Sequence, residues 1–208
     1  FILVIDLGRA NGPWIHYENY LKKYETNEIL DILKDKPHER RVAQSPFHDI
    51  PELNSLRRNY RKLWMNELYR YYGIQSLDVP QEPRLKEEKA RFKKAVGGFF
   101  TREYELTNTR FIMGVTSVVG PDGPIDFLDG KGGMNDQLDP VKRRFRLHTP
   151  FSIDYNDEGY SVAHKHPSGP LAIIEFTGAM PRAKLLGHWE TAADMEAALT
   201  RVVDPTFD

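Results

Sequence analysis

Apolar and polar positions alternate along residues 1–119 in a way that predicts strands separated by helices. The predicted strands are the apolar runs ILVID, RRVAQS, GIQSLDVP and NTRFIMGVTSVV. Apolar residues at helical spacing predict helices between them, in the segments TNEILDILKDKP, PELNSLRRNYRKLWMNELYRYY and PRLKEEKARFKKAVGG. This alternation favours a mainly parallel sheet with right-handed crossover helices.

The pattern changes in the C-terminal part of the chain. The runs RFRLHTPFSIDYND, GYSVAHKH, PLAIIEFTG and RAKLLGHWE predict antiparallel strands that extend or cover the sheet, and TAADMEAALTRVV predicts a closing helix capped by Thr191. Residues 120–140 are rich in Gly and Asp and predict a long loop or insertion. The expected fold is a single α/β domain over residues 1–208, with a mainly parallel sheet extended by antiparallel strands.

Composition narrows the class of protein. Of the 208 residues, 40% are hydrophobic and 12% aromatic, which indicates a folded domain and not a disordered chain. The net charge of −1, from 29 basic and 30 acidic residues, gives no general attraction to nucleic acid, and no nucleic-acid partner is predicted. The chain has no Cys, which excludes disulfides, cysteine nucleophiles and thiolate metal sites.

Short motifs give no cofactor or metal site. The first apolar run is followed by Gly8 and Gly12 only, without the G-x-G-x-x-G pattern of dinucleotide-binding folds, and DGKGGMND lacks the phosphate-loop sequence. The Asp residues of the 120–140 segment fit no calcium loop and are typical of turns. His164 and His166 would share one face of a strand, but a metal site needs more ligands than these two. The sequence therefore predicts no cofactor, no metal and no catalytic residue.

Polar residues at the carboxyl ends of the first three predicted strands are the remaining candidate ligand site. In open α/β sheets, ligands bind beyond these ends. The candidate ligand-binding residues are Asp6, Arg9, His48 and Asp78, with Ser45 and Ser76 beside the last two. The alternative interpretation is that these side chains cap helices and form turns.

Three stretches of the chain together resemble a known family. They are DLGRANGPWIHYENYLKKYETNEILDILKDKPHERRVA, the pair YGIQSLDVPQEPR and ELTNTRFIMG, and LAIIEFTGAMPRAKLLGHWE with VVDPTFD. Their order, which covers nearly the whole chain, resembles the segment that follows the last transmembrane helices in bacterial YfhO-type membrane proteins. That family is related to the GT-C class of polytopic glycosyltransferases. The 120–140 segment has no clear counterpart in it.

The resemblance implies that FILVID directly follows membrane-spanning helices and forms the first strand of a soluble domain on the extracytoplasmic, periplasmic side of the cell membrane. It implies that the chain is one part of a larger protein, with the transmembrane part of the same chain as its partner. In GT-C-like enzymes the catalytic acid lies in loops of the membrane portion. The expected function is therefore a non-catalytic domain that recognises a glycan, a lipid-linked sugar or an acceptor, or braces the membrane part.

Two other functions fit the residues. One is a free-standing α/β enzyme or small-molecule-binding protein that uses Asp6, His48 and Asp78 at the strand carboxyl ends. The other is an interaction module that uses the Trp and Tyr side chains. Whether the chain is an enzyme stays open at the level of the sequence.

Overall fold

The computed structural model describes residues 2–15, 17, 19–36, 38–47, 50–51, 53–54, 68–78, 84–120, 123–204 and 206–207. A 3-10 turn, Gly12–Trp14, follows the first helix. The helices are α1 (Ile2–Asn11), α2 (Tyr20–Lys23), α3 (Glu28–Lys34), α4 (Leu68–Tyr71), α5 (Glu87–Val96), α6 (Phe100–Leu106), α7 (Met134–Leu138) and α8 (Met195–Val203). Most of the predicted helix PELNSLRRNYRKLWMNELYRYY lies outside the described residues.

Six strands form one mixed sheet and two others form a hairpin beside it. The strands are β1 (Arg41–Gln44), β2 (Gln75–Ser76), β3 (Thr109–Val115), β4 (Ser117–Gly120), β5 (Gly123–Asp126), β6 (Phe145–Tyr155), β7 (Ser161–Lys165) and β8 (Leu171–Phe176). The sheet has the order β2-β1-β3-β8-β6-β7, and β4 pairs only with β5. Strands β2, β1 and β3 run parallel, whereas β8, β6 and β7 join them through antiparallel pairs.

The α/β class is confirmed, but the sheet is not mainly parallel, since only half of its strands belong to the parallel part. The prediction of a strand for ILVID was wrong, because these residues lie in helix α1. A short apolar run is compatible with either a strand or a helix. The Leu, Ala and Arg residues of α1 are good helix formers.

Helix α3 shows how local sequence sets a helix boundary. The Asn27 side-chain oxygen accepts hydrogen bonds from the backbone N–H groups of Ile29 and Leu30, at 3.1 and 3.0 Å. This cap satisfies donors that the first helical turn leaves without partners. The apolar stripe Ile29, Leu30 and Leu33 is buried against the sheet.

The two faces of the sheet are covered by different elements, because successive side chains of a strand point to opposite faces. Phe111 of β3 lies on the α3 face. On the other face, the Tyr104 ring of α6 lies 5.9 Å from that of Phe176. Gly114 also points there, where an added Cβ would lie 2.7 Å from Ile174 Cδ1 and 3.4 Å from the Phe127 ring.

The segment 120–140 contains regular structure. It includes strand β5 and helix α7, and the side chains of Phe127, Leu128 and Met134 are buried in the core. The segment therefore covers one end of the sheet.

The predicted last strand is absent from the described residues. RAKLLGHWE has no regular structure and exposes Leu185, Leu186 and Trp189. The helix after it begins at Met195 and is capped by Asp194, whose side chain accepts the Ala197 N–H at 2.8 Å, and not by Thr191.

Candidate functional site

The carboxyl ends of β1 and β2 meet, because the two strands are parallel neighbours in the sheet. Asp78 follows β2, and its carboxylate accepts the backbone N–H of Gln44 at 2.6 Å. Ser45 follows β1 and is buried. The Gln44 side-chain nitrogen and the Ser45 hydroxyl are buried and have no hydrogen-bond partner among the described residues. These atoms are the polar groups that the strand ends leave available.

The other predicted site residues are not at this edge of the sheet or lie outside the described residues. Asp6 and Arg9 are both on α1, three positions apart, and both are exposed. His48 falls outside the described residues. The structure therefore shows no contact among Asp6, Arg9 and Asp78, and the argument that placed Asp6 at a strand end does not apply to a helix.

Helix α6 adds two titratable groups close to Asp78. Burial raises the pKa of the Glu103 carboxyl above its usual range, Lys93 opposes this shift, and Asp78 adds to it. Burial also raises the pKa of the Tyr104 hydroxyl far above its usual value. A carboxyl group whose charge is disfavoured by burial and by a second carboxylate tends to hold a proton.

A second polar region lies between α3 and the sheet, and sequence analysis missed it. It is an open cleft of about 510 Å³, which we call the α3 cleft. Eight residues from separate parts of the chain line it: Glu28, Asp31, Ile32, Asp35, Arg40, Phe111, His148 and Lys165. Only the folded register of the strands brings Arg40, His148 and Lys165 together, so spacing along the chain could not reveal them.

His148 lies on the face of β6 that carries this cleft. Arg146, two residues earlier, pairs with Glu175, which also pairs with Phe111, so regular alternation places His148 on the Phe111 side of the sheet. The pairing of β6 with β8 then shifts between Leu147 and Thr149. The His148 ring accordingly packs edge-on against Phe111, with 5.1 Å between ring centroids.

Arg40 is fixed at the base of the α3 cleft. Its guanidinium lies 4.9 Å from the centroid of the Phe111 ring. Its Nη2 donates to the Asp35 carbonyl and to the Asp35 carboxylate, both at 3.0 Å. The Arg40 side chain is only 12% exposed, so its charge is held in one position and partly desolvated.

The most exposed apolar surface is at the start of the chain. We call residues 2–21 the apolar arm. Every described side chain from Leu3 to Lys22 is exposed. Leu3 is 69% and Val4 71% exposed on α1, and the arm continues with Trp14 at 80% and Tyr17 at 95%.

Further observations limit the chemistry. In the described part of the chain, no group of three His, Asp or Glu side chains is arranged to hold a metal ion. His164 lies 3.4 Å from Asp154, and its ring centroid is 6.3 Å from that of His166. No helix in the described ranges has the length and apolar character that crossing a membrane requires. No family model, curated protein or solved structure matches the chain.

Proposed function

We propose that this chain is a non-catalytic, membrane-attached domain of a larger protein of YfhO type, related to the GT-C glycosyltransferases. In this proposal the domain lies on the extracytoplasmic side of the cell membrane. It contacts the transmembrane part of the same protein and either recognises a glycan, lipid-linked sugar or acceptor or braces the membrane part. The observation that carries the proposal is the exposure of the apolar arm.

The apolar arm is unlike the surface of a water-soluble helix. Leu3, Val4, Ile5 and Leu7 of α1 are each at least half exposed. At about 100° per residue, these four side chains point in directions that cover more than half of the helix circumference. A helix that is apolar on most sides is normally buried in a protein core or in lipid. Ten residues extend about 15 Å, roughly half of a bilayer's hydrocarbon core.

The residues that follow α1 fit a membrane interface. Exposed Trp14, Tyr17 and Tyr20 come next, and Lys22 and Lys23 come after them. Trp and Tyr concentrate at the boundary between lipid and water, where their rings have one apolar and one polar side. A segment that leaves a bilayer has apolar residues in the hydrocarbon core, then aromatic residues at the interface, then basic residues among the headgroups. We therefore propose that the apolar side chains of α1 face lipid, that Asp6 and Arg9 on the remaining side of the helix face water or headgroups, and that Trp14 marks the interface.

Vesicle flotation tests the attachment. The purified chain is expected to float with phospholipid vesicles. In the double variant Leu3→Asp/Leu7→Asp, the partition coefficient between vesicles and water is expected to fall at least about tenfold. The reason is that burial of each Leu side chain contributes about 2 kcal/mol, and Asp contributes none of it. The measurement is the partition coefficient between vesicle and aqueous fractions.

The matched control replaces two exposed leucines elsewhere. Leu185 and Leu186 lie in the irregular segment before α8 and are 102% and 63% exposed. Leu185→Asp/Leu186→Asp introduces the same charges, and its partition coefficient is expected to stay within about threefold of the unchanged chain. Equal losses in the two double variants, or no flotation of the unchanged chain, would contradict the proposal.

A second candidate function rests on the strand ends. Asp78, the buried Ser45 hydroxyl and the Gln44 side chain offer polar atoms where α/β sheets bind ligands. The alternative is thus a free-standing α/β small-molecule-binding protein or enzyme. Saturable binding of a compound from a metabolite panel, abolished by Ser45→Ala in a folded chain that does not float with vesicles, would favour it over membrane attachment.

A further inference from the structure

The cations of the α3 cleft carry hydrogen-bond donors that the protein leaves available. Arg40 uses only its Nη2, so its Nε and Nη1 have no partner among the described residues. Lys165 makes no ion pair with any described side chain, and its backbone N–H alone is bound. The His148 ring contacts Thr149 through Nδ1, which leaves Nε2 without a described partner.

The carboxylates of the same cleft are already engaged by protein donors. Asp35 accepts from Arg40 at 3.0 Å. Asp31 pairs with Lys34 at 2.6 Å and accepts the Thr26 hydroxyl at 2.7 Å. Glu28 accepts the backbone N–H of Lys165 at 2.8 Å. Acidic side chains outnumber the cations in the cleft, but one oxygen of each carboxylate is taken by a protein donor, whereas the donors of Arg40, Lys165 and His148 named above have no acceptor among the described residues.

We infer that the α3 cleft binds a small organic anion, whose carboxylate or phosphate oxygens accept hydrogen bonds from Arg40, His148 and Lys165. The volume of about 510 Å³ falls within the range of sites for small ligands. A cation held by stacking and by one carboxylate is pre-organised for an oxyanion, because little side-chain entropy is lost when the ligand binds. Ile32 provides an apolar wall.

This inference deepens the proposed function, on which it rests for the identity of the ligand. If the domain recognises a glycan or a lipid-linked sugar, the cleft selects a sugar that carries a carboxylate or a phosphate. A neutral sugar would offer the donors of Arg40, Lys165 and His148 no anionic acceptor. A carboxylate and a phosphate on a sugar are both oxyanions, and the experiment below distinguishes a carboxylate ligand from a phosphate ligand.

Protonation of His148 gives the site a pH dependence. Burial lowers the pKa of the His148 imidazole below its ordinary value, so the ring is neutral at neutral pH and becomes charged as the pH falls. Protonation then adds a positive charge that favours an anion. The charged groups that face or influence this ring are Glu28, Asp31, Asp35, Arg40, Arg110, Lys165 and Glu175.

Isothermal titration calorimetry of the chain in solution tests the inference. The probes are glucuronate, glucose 6-phosphate, inorganic phosphate and neutral glucose, each at low salt because screening weakens such contacts. Saturable binding of at least one anion and none of glucose is expected. Binding of glucuronate alone assigns a carboxylate ligand, binding of the two phosphates alone assigns a phosphate ligand, and binding of all three anions assigns a general oxyanion site.

Two variants tie the binding to the cleft. Lys165→Gln removes an exposed cation without an ion pair, so the fold should be retained, and the Kd of the bound anion is expected to rise roughly tenfold. The matched control is Lys142→Gln, an exposed lysine outside the cleft, which should leave the Kd unchanged. In His148→Gln, the rise in glucuronate affinity expected between about pH 7.5 and about pH 5.5 should be lost, since a sugar carboxylate stays ionised over this range.

Several results would overturn the inference. They are the absence of binding for every anion at millimolar concentration, equal affinity for glucose, or an equal rise in Kd for Lys165→Gln and Lys142→Gln. The titration uses no lipid. A negative result therefore leaves the flotation result intact, and failure of the cleft is distinguishable from failure of membrane attachment.

Discussion

Replacing Glu105 by Gln is expected to lower the free energy of unfolding by about 3 kcal/mol. Glu105, on α6, has a side chain that is only 13% exposed and contacts two arginines. Its Oε2 accepts from Arg102 Nη1 at 2.8 Å, and its Oε1 accepts from Arg144 Nη1. A neutral amide leaves both guanidinium groups without this counter-charge.

The surroundings of the two arginines explain why the loss is not easily relieved. Arg102 is buried and donates its other hydrogen bonds to the backbone carbonyls of Val202 and Phe207, at 2.9 and 2.8 Å, which carry no charge. Arg144 retains Asp139 at 2.8 Å and stacks over the Phe176 ring at 4.9 Å. After the substitution, Arg102 would be a partly desolvated cation whose hydrogen-bond partners among the described residues are all neutral.

The control is an ion pair of the same chemistry at the surface. Glu190 binds Arg201 through two hydrogen bonds, at 2.8 and 2.9 Å, but both side chains are well exposed. Glu190→Gln is expected to leave the free energy of unfolding nearly unchanged, because water replaces the lost contact. Denaturant unfolding at neutral pH measures both variants. Similar losses of unfolding free energy for Glu105→Gln and Glu190→Gln would contradict the expectation that the ion pairs of Glu105 are buried.

Sequence patterns predicted the elements whose signals are local. The Asn27 cap and the apolar stripe of α3 lie within eight residues of each other, and β1, β3 and β8 are short apolar runs bounded by turn residues. Local signals also explain the error at α1. The run ILVID has no periodicity that separates a buried strand from an exposed helix, and its exposure is a property of the folded chain.

The candidate sites were harder to predict because they depend on register. Arg40, His148 and Lys165 belong to β-strands or their flanks far apart in sequence, and only the folded register brings them to the α3 cleft. A shift by one residue would place the His148 ring on the other face of the sheet. In contrast, Asp78 could be identified from the sequence because it follows an apolar run directly, and the structure places that run beside β1.

Asn135→Ala is expected to lower the free energy of unfolding by about 2–3 kcal/mol, because it leaves buried backbone groups without partners. Asn135 is 1% exposed and belongs to α7. Its side-chain amide accepts the Phe145 N–H at 3.0 Å and donates to the Phe145 carbonyl at 2.9 Å. It also donates to Asp129 at 2.9 Å. Alanine removes all three hydrogen bonds and fills less space.

Asn156 provides a matched comparison, because its side chain also serves two backbone groups but in an exposed turn. Its Oδ1 accepts the N–H groups of Glu158 and Tyr160, at 3.1 and 2.8 Å. Asn156→Ala is expected to cost no more than about 1 kcal/mol, since water can bind the released groups. Denaturant unfolding gives both values, and amide hydrogen exchange at Phe145 should accelerate in Asn135→Ala only.

The outcome bears on the Gly/Asp-rich segment that its composition alone marks as a loop or insertion. If Asn135→Ala costs several times more than Asn156→Ala, residues 123–138 unfold together with the sheet, because Phe145 starts the strand that pairs with β8. If the two costs are equal and the Phe145 amide keeps its protection, the segment opens independently of the sheet. In that case the hydrogen bonds of Asn135 to Phe145 would add little to the stability of the core.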